Sequence, residues 1–453
     1  MKILSLFMAL LLLAAAAPSR LSAASAPGGM ELERFVLDNG LEVVVAPQRT
    51  VPVVTHMLFY RVGGADEEPG QSGIAHFFEH LMFKATSTRE SGELAAAVAA
   101  VGGNQNAFTT EDFTAYFEQV PSSALGEMMA FEADRMRNLV LDDAVIETER
   151  QVVMEERLSR VDNEPSGILG EAVDSTLFQN HPYGRPVIGW MDEIKALTKD
   201  QLTAFYNRYY RPNNALLVVA GDVDTATVRR LAEETYGKLE RGPDLPPRIR
   251  TKEPEPKVER IAVLRDERVS LPSFSRSWFG PATFSADGRD ADALLLLSVI
   301  LGGSERSRLH QELVVKKQIA SSAGAGVSTS YRDYSRISVY ARPLDPGKLR
   351  EVVQAVDAEI EKIAREGVSD REVEVTRKVL ASGLVLGRES QMDRAMEIGT
   401  TLMVGGTVED VNGILERLDA VTAEDIQQVA QRYLAKSRSV AAYLLPQGAE
   451  DPV

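Results

Sequence analysis

Three side chains in one short run of this sequence have the types and spacing to work around a metal ion. They are His76, Glu79 and His80, in Ile74-Ala75-His76-Phe77-Phe78-Glu79-His80-Leu81-Met82-Phe83. On a helix, residues four apart project from one face, so the two imidazoles can bind a single cation. Glu79 lies beside that face, where a carboxylate can take a proton from water activated by the metal without itself being a ligand. The other reading is two core histidines beside a surface glutamate. Against it, the chain has only five His, and Phe77, Phe78, Leu81, Met82 and Phe83 make the helix apolar nearly all round. An ionised Glu79 in that setting is costly unless a cation compensates it.

Two His leave a zinc site one protein ligand short. Residues 142–161 (DDAVIETERQVVMEERLSRV) have a helical pattern, with Val145, Val152 and Val153 marking the inward face. At about 100° per residue, Glu149 and Glu156 fall on that valine stripe, whereas Glu147 and Glu155 point further off it. Carboxylates on a core-facing stripe need a reason. Ion pairing is one; a metal carried by the first helix is another. The chain contains no Cys, so thiolate ligands, disulfides and cysteine nucleophiles are excluded, and any bound metal must use His, Asp and Glu.

These side chains must be positioned by surrounding elements. Ser72 is expected to cap the His76 helix. Phe35-Val36, a turn at Asp38-Asn39-Gly40 and residues 41–45 read as a hairpin, because Asn-Gly supplies the positive φ of a tight turn. Further strands are expected over residues 53–62, 106–110, 114–119, 215–220 and 440–445. Strands separated by helices, with hairpins among them, predict an α+β fold with largely antiparallel sheets.

At 453 residues, 44% hydrophobic, the chain is long enough for two or three domains with substantial cores. Its formal charge of -16 repels phosphate backbones and anionic lipid, which argues against nucleic acid as a partner. Lys2, the apolar residues 3–17 and the small residues Ser22 to Ala26 form a secretory signal pattern over residues 1–26. The apolar stretch is short for a stable membrane span, which needs about 20 residues. Export without cysteine suits a bacterial periplasm. Residues 241–257 (RGPDLPPRIRTKEPEPK) carry five prolines and many charges, so an extended, solvated linker is expected between an N-terminal domain at 31–240 and a C-terminal domain at 258–448. Leu197-Thr198-Lys199-Asp200-Gln201-Leu202 with Arg208-Tyr209 matches Val421-Thr422-Ala423-Glu424-Asp425-Ile426 with Arg432-Tyr433 at a constant offset of 224. Each begins with a Thr that can cap a helix and is followed by an apolar strand, which points to tandem duplicated domains.

The run His76-Phe77-Phe78-Glu79-His80, with Glu156 76 positions beyond His80 and Glu149 seven before it, resembles the inverted-motif zinc peptidases of the insulinase and pitrilysin family. The likeness extends to residues 102–110 (GGNQNAFTT), to residues 181–186 (HPYGRP) and to the duplicated halves, and so covers essentially the whole mature chain. Its two-repeat length is similar to the short bacterial branch, which resembles the subunits of mitochondrial processing peptidase. The resemblance implies Zn2+ held by His76, His80 and Glu156, Glu79 as the general base, and Glu149 as a catalytic-centre carboxylate standing behind the ligands. Glu155 is the alternative third ligand. It also implies that peptide substrates bind as an added strand along Asn106, Ala107 and Phe108.

Self-sufficient relatives carry, in their second half, an Arg and seven residues later a Tyr that help stabilise the tetrahedral intermediate. Here Val314 and Ser321 stand at those places, and neither replaces the missing donor. His310, Lys316 and Lys317 are nearby cationic or titratable groups, more in keeping with a solvated basic helix. The second half has no further His-rich motif, so one metal site per chain is expected. The resulting expectation is a periplasmic zinc endopeptidase acting on peptides or unfolded segments. A homologous partner chain supplies the Arg and Tyr in a heterodimer, with a homodimer as the rival arrangement. A non-catalytic structural subunit of a larger assembly is the alternative function.

Overall fold

A computed structural model describes residues 29–450, so the expected signal segment lies outside the described residues. The first half builds one sheet from β1 (Glu33–Val36), β2 (Glu42–Pro47), β3 (Val53–Tyr60), β4 (Asn104–Thr109), β5 (Thr114–Pro121) and β6 (Ala215–Gly221), in the spatial order β1-β2-β6-β3-β5-β4. The hairpin β1–β2 turns through Gly40 at φ +91°, as the Asn-Gly pair requires. The second half repeats the plan with β7 (Arg260–Asp266), β8 (Ser273–Pro281), β9 (Ala320–Ser328), β10 (Tyr334–Pro343) and β11 (Val440–Pro446), ordered β7-β11-β8-β10-β9. Both sheets are antiparallel apart from one pair each, β2 with β6 and β7 with β11. The fold is therefore α+β, in two tandem domains of one design.

The offset of 224 seen in the sequence relates structural elements. The helix Lys199–Tyr209 moved by 224 is the helix Ala423–Tyr433, and each opens on a Thr capping box, Thr198 with Gln201 and Thr422 with Asp425. The halves also exchange helices. Pro165–Leu177, from the first half, buries Leu169, Val173 and Leu177 with Phe279, Val440 and Ala442 of the second. Its counterpart Gln391–Met403 buries Ala395, Ile398 and Met403 with Met57, Phe59, Leu216 and Val218 of the first. Each Val, Leu, Ile, Met or Phe side chain among these contributes about 1.5–3 kcal/mol by leaving water, so the exchange fastens the two halves together.

Gly399 lets that second helix approach. A Cβ there would lie 1.9 Å from the Phe59 ring, which is fully buried and has nowhere to retreat. Gly399→Ala is expected to lower stability by about 1–3 kcal/mol, read as a lower midpoint in urea or thermal unfolding.

The proline-rich segment corrects an expectation. It has no regular secondary structure, but it is not solvated throughout. The Arg250 side chain is buried and reaches Asp66 at 3.0 Å, Asp333 at 2.8 Å and Asp112, while Arg248 donates to Asp66 and to the backbone oxygen of Asp112 at 2.7 Å. Glu253 is buried and accepts the backbone N–H groups of Asn180 and His181 at 2.8 and 2.9 Å. The segment is a strap that ties the loop before the His76 helix, the β4–β5 turn and the second half. Among the described residues, no helix is long and apolar enough to cross a membrane.

Candidate metal centre

The helix Ile74–Leu81 is apolar on all but one side. Ile74, Ala75, Phe77, Phe78 and Leu81 are fully buried, with Phe78 stacked on Phe205 and Tyr206. His76, Glu79 and His80 are left to face a cleft of about 640 Å³. The start of the helix differs from expectation. Gly73, at φ +85°, is its N-cap, and the Ser72 hydroxyl accepts the Trp190 N–H instead of capping. The buried Glu67 carboxylate takes over, accepting the N–H groups of Gly73 and Ala75, each at 3.0 Å. Burial pushes its pKa up to about 8, against the pull of those two N–H groups. Near the other end, Arg135 donates to the backbone oxygen of Met82 at 3.4 Å while paired with Glu132.

The long second helix, Asp143–Arg157, runs into a π-helical turn, Leu158–Asp162. Its inward stripe is Ile146, Glu149, Val153 and Arg157, with Glu156 at its edge. Val153 is fully buried and Val145 half-buried, but Val152 is 44% exposed, contrary to the sequence reading. Glu155 is exposed and stands apart from the cluster.

His76, His80 and Glu156 offer ligand atoms within 4.8 Å of one another, and this is the group that could hold a metal among the described residues. One oxygen of Glu156, Oε2, lies 3.1 Å from His80 Nε2 and 3.6 Å from His76 Nε2. A tetrahedral site with bonds of about 2.0–2.1 Å has ligand atoms about 3.3–3.4 Å apart, so this donor set fits zinc. His76 Nδ1 is buried without a hydrogen-bond partner. Burial drives the His76 pKa down to about 3, aided by the charges of His80 and Arg160, so the ring is neutral and free to ligate.

The outer contacts are equally ordered. Glu149 Oε2 lies 3.6 Å from His80 Nδ1, and Lys84 holds its other oxygen at 2.5 Å. Burial opposes ionisation of Glu149, but the hydrogen bonds from His80 and Lys84 prevail and its pKa is lowered. Burial also opposes protonation of His80, yet its hydrogen bond to Glu149 and the charges of Glu156 and Glu79 raise its pKa overall. Glu79 Oε2 accepts the Thr109 hydroxyl at 2.6 Å; burial raises its pKa despite that bond. Arg160 reaches Glu156 Oε1 at 2.6 Å. Sequence reasoning passed over Lys84, Arg160 and Glu67. Arg160 stands four residues after Glu156, a helical spacing that could have revealed it, whereas Lys84 lies beyond the end of the His76 helix and pairs with Glu149 far along the chain.

Asn106, Ala107 and Phe108 lie on β4, the edge strand of the first sheet, and line the same cleft. Asn106 turns its side-chain oxygen back to accept the N–H of Ala107 at 2.9 Å. Val314 packs against the second core, and the Ser321 hydroxyl donates to the Arg342 carbonyl at 3.2 Å. Among the described residues, the cleft is lined only by residues between His76 and Ile188. At the offset of 224, the place of Glu149 is taken by the buried Val373 and that of Glu156 by Leu380.

Known proteins resemble this chain in sequence and fold. The insulinase model of peptidase family M16 matches residues 42–190, and the M16 inactive-domain model matches residues 196–380. An uncharacterised zinc protease of Mycobacterium leprae is 33% identical over 91% of this chain and 91% of its own length. This chain belongs to peptidase family M16. The zinc protease PqqE of Helicobacter pylori is 31% identical over 91% of the M16 chain and 93% of its own. A crystal structure of a protease from Helicobacter pylori superposes with a TM-score of 0.86 at 31% identity, covering 92% of this chain and all of that one. The periplasmic protease PqqL of Escherichia coli, at 20% identity and a TM-score of 0.76, shares the fold over 93% of this chain and 48% of its own length.

Proposed function

We propose that this M16 chain is a zinc-dependent endopeptidase of the periplasm. The observation that carries the reading is the single Glu156 oxygen facing both histidine Nε2 atoms, with the Glu79 carboxylate on the same face of the helix. His76, His80 and Glu156 would hold the zinc, which supplies Lewis acidity that makes water a better nucleophile and polarises the peptide carbonyl. Glu79 accepts the proton of the attacking water and returns it to the departing amine nitrogen. The Thr109 hydroxyl fixes one Glu79 oxygen and leaves the other free for that proton. Because Thr109 belongs to β4, base and substrate strand are held in one frame. An extended peptide adds to the open edge of β4 at Asn106, Ala107 and Phe108, so that backbone hydrogen bonds bring a peptide bond to Glu79 with little demand on side chains. Glu149 holds His80 in orientation.

Among the described residues no second-half residue lines the cleft, and Val314 and Ser321 do not supply the guanidinium and phenol donors expected there. This favours completion of the site by a second, homologous chain, with a homodimer as the competing arrangement. A quenched fluorescent peptide and elemental analysis test the reading together. The purified chain, alone or with a homologous partner, is expected to hold one zinc and to cleave the peptide. A chelator should abolish turnover and added zinc restore it. Full zinc occupancy without cleavage, with or without the partner, would leave a non-catalytic subunit as the function.

A further inference from the structure

We propose that Arg160 is a specificity-determining residue that selects peptides bearing a carboxylate close to the scissile bond; this rests on the peptidase reading above. The cleft contains three carboxylates, each already engaged: Glu79 with Thr109, Glu149 with Lys84, and Glu156 with Arg160. The two cations facing them are not equivalent. Lys84 is a compact charge held 2.5 Å from Glu149 and only 28% exposed. Arg160 is 71% exposed and approaches Glu156 most closely through Nη1. A guanidinium carries five N–H donors in a planar fork suited to two-pronged binding of a carboxylate, so most of that fork remains free to face a bound chain.

Its surroundings favour such a contact. Val161, Val187 and Ile188 line the same cleft, so an apolar wall accompanies the guanidinium there. Its backbone is anchored as well. A Cβ on Gly167 would lie 2.6 Å from the Arg160 carbonyl oxygen and 2.9 Å from Val161 Cα, so only glycine lets the helix Pro165–Leu177 seat against the π-helical turn. A flexible side chain thus rises from a fixed base at the cleft wall. The net charge of -16 would by itself draw basic peptides to the molecule, so a preference for acidic ones would have to come from this local feature.

The test uses quenched peptides identical except for Asp, Asn or Lys, scanned through the positions flanking the cleaved bond, with the zinc content of every sample measured. At one position Asp is expected to exceed Asn in kcat/KM by about tenfold, with Lys below Asn. Arg160→Gln should level the three at unchanged zinc content, and Arg160→Glu should reverse their order. Equal rates with the unaltered protein, or an Asp preference that survives in Arg160→Gln, would overturn the proposal. So would loss of zinc from Arg160→Gln with the Asp preference intact, since Arg160 would then only hold Glu156. The same peptides are bound to Glu79→Gln and followed by fluorescence anisotropy. If no peptide is cleaved by the chain alone or together with a homologous partner, the peptidase reading fails, while the binding order still decides for or against a carboxylate preference.

Discussion

Replacing Glu79 with Gln is expected to reduce peptide cleavage by about 10²–10⁴-fold while zinc remains bound, because the change removes a proton acceptor and no ligand. The amide keeps the shape of the carboxylate and can still pair with the Thr109 hydroxyl, so the helix and β4 should stay in register. The helix itself gives little reason for collapse. Its buried face is Ile74, Ala75, Phe77, Phe78 and Leu81, and Glu79 lies on the opposite, cleft side. Burial already disfavours the charge on Glu79, so neutralising it should not destabilise the fold. Steady-state assays beside metal analysis on one preparation check this. Retained activity at full zinc content would remove Glu79 from the role of base.

The parts of the site set by local periodicity were legible in the sequence, and those set by distant contacts were not. His76 and His80 share a face because the helical period puts them there, and the apolar residues around them left that face as the open one. The Asn39-Gly40 turn and the Thr-capped helices at the offset of 224 follow equally local rules. The inward face of the Asp143–Arg157 helix was only half readable. Val152 is apolar but sits on the flank of the stripe, whereas Ile146 completes it; side chains lean toward the N-terminus of a helix, so composition at a flank does not decide which side is covered. Glu67 reaches the start of the His76 helix from across a loop, at no spacing that a capping rule recognises. The proline-rich strap looked solvated because its partners Asp66, Asp112 and Asp333 lie far away in the chain. Exchange of helices between the halves was hidden for the same reason: duplication reveals that two helices correspond, but not which sheet each one covers.

Glu156→Gln is expected to weaken zinc binding more than any other single change to a carboxylate in the cleft. It removes the only anionic member of the proposed ligand group, and an amide oxygen is a poorer donor to zinc than a carboxylate. Glu149→Gln should do less, about 10–100-fold, because Glu149 faces His80 and stands outside the proposed ligand group. Glu79→Gln should leave affinity near that of the unaltered chain. The three variants carry the same chemical change on neighbouring positions of one cleft, so a general effect of lost negative charge would move them together. An ordered series would instead report distance from the metal. Competition against a chromophoric chelator at fixed pH measures all three. If Glu156→Gln kept full affinity while Glu149→Gln lost it, the third ligand would be Glu149, and the Glu156 oxygen now facing the two imidazoles would be an ion pair and nothing more.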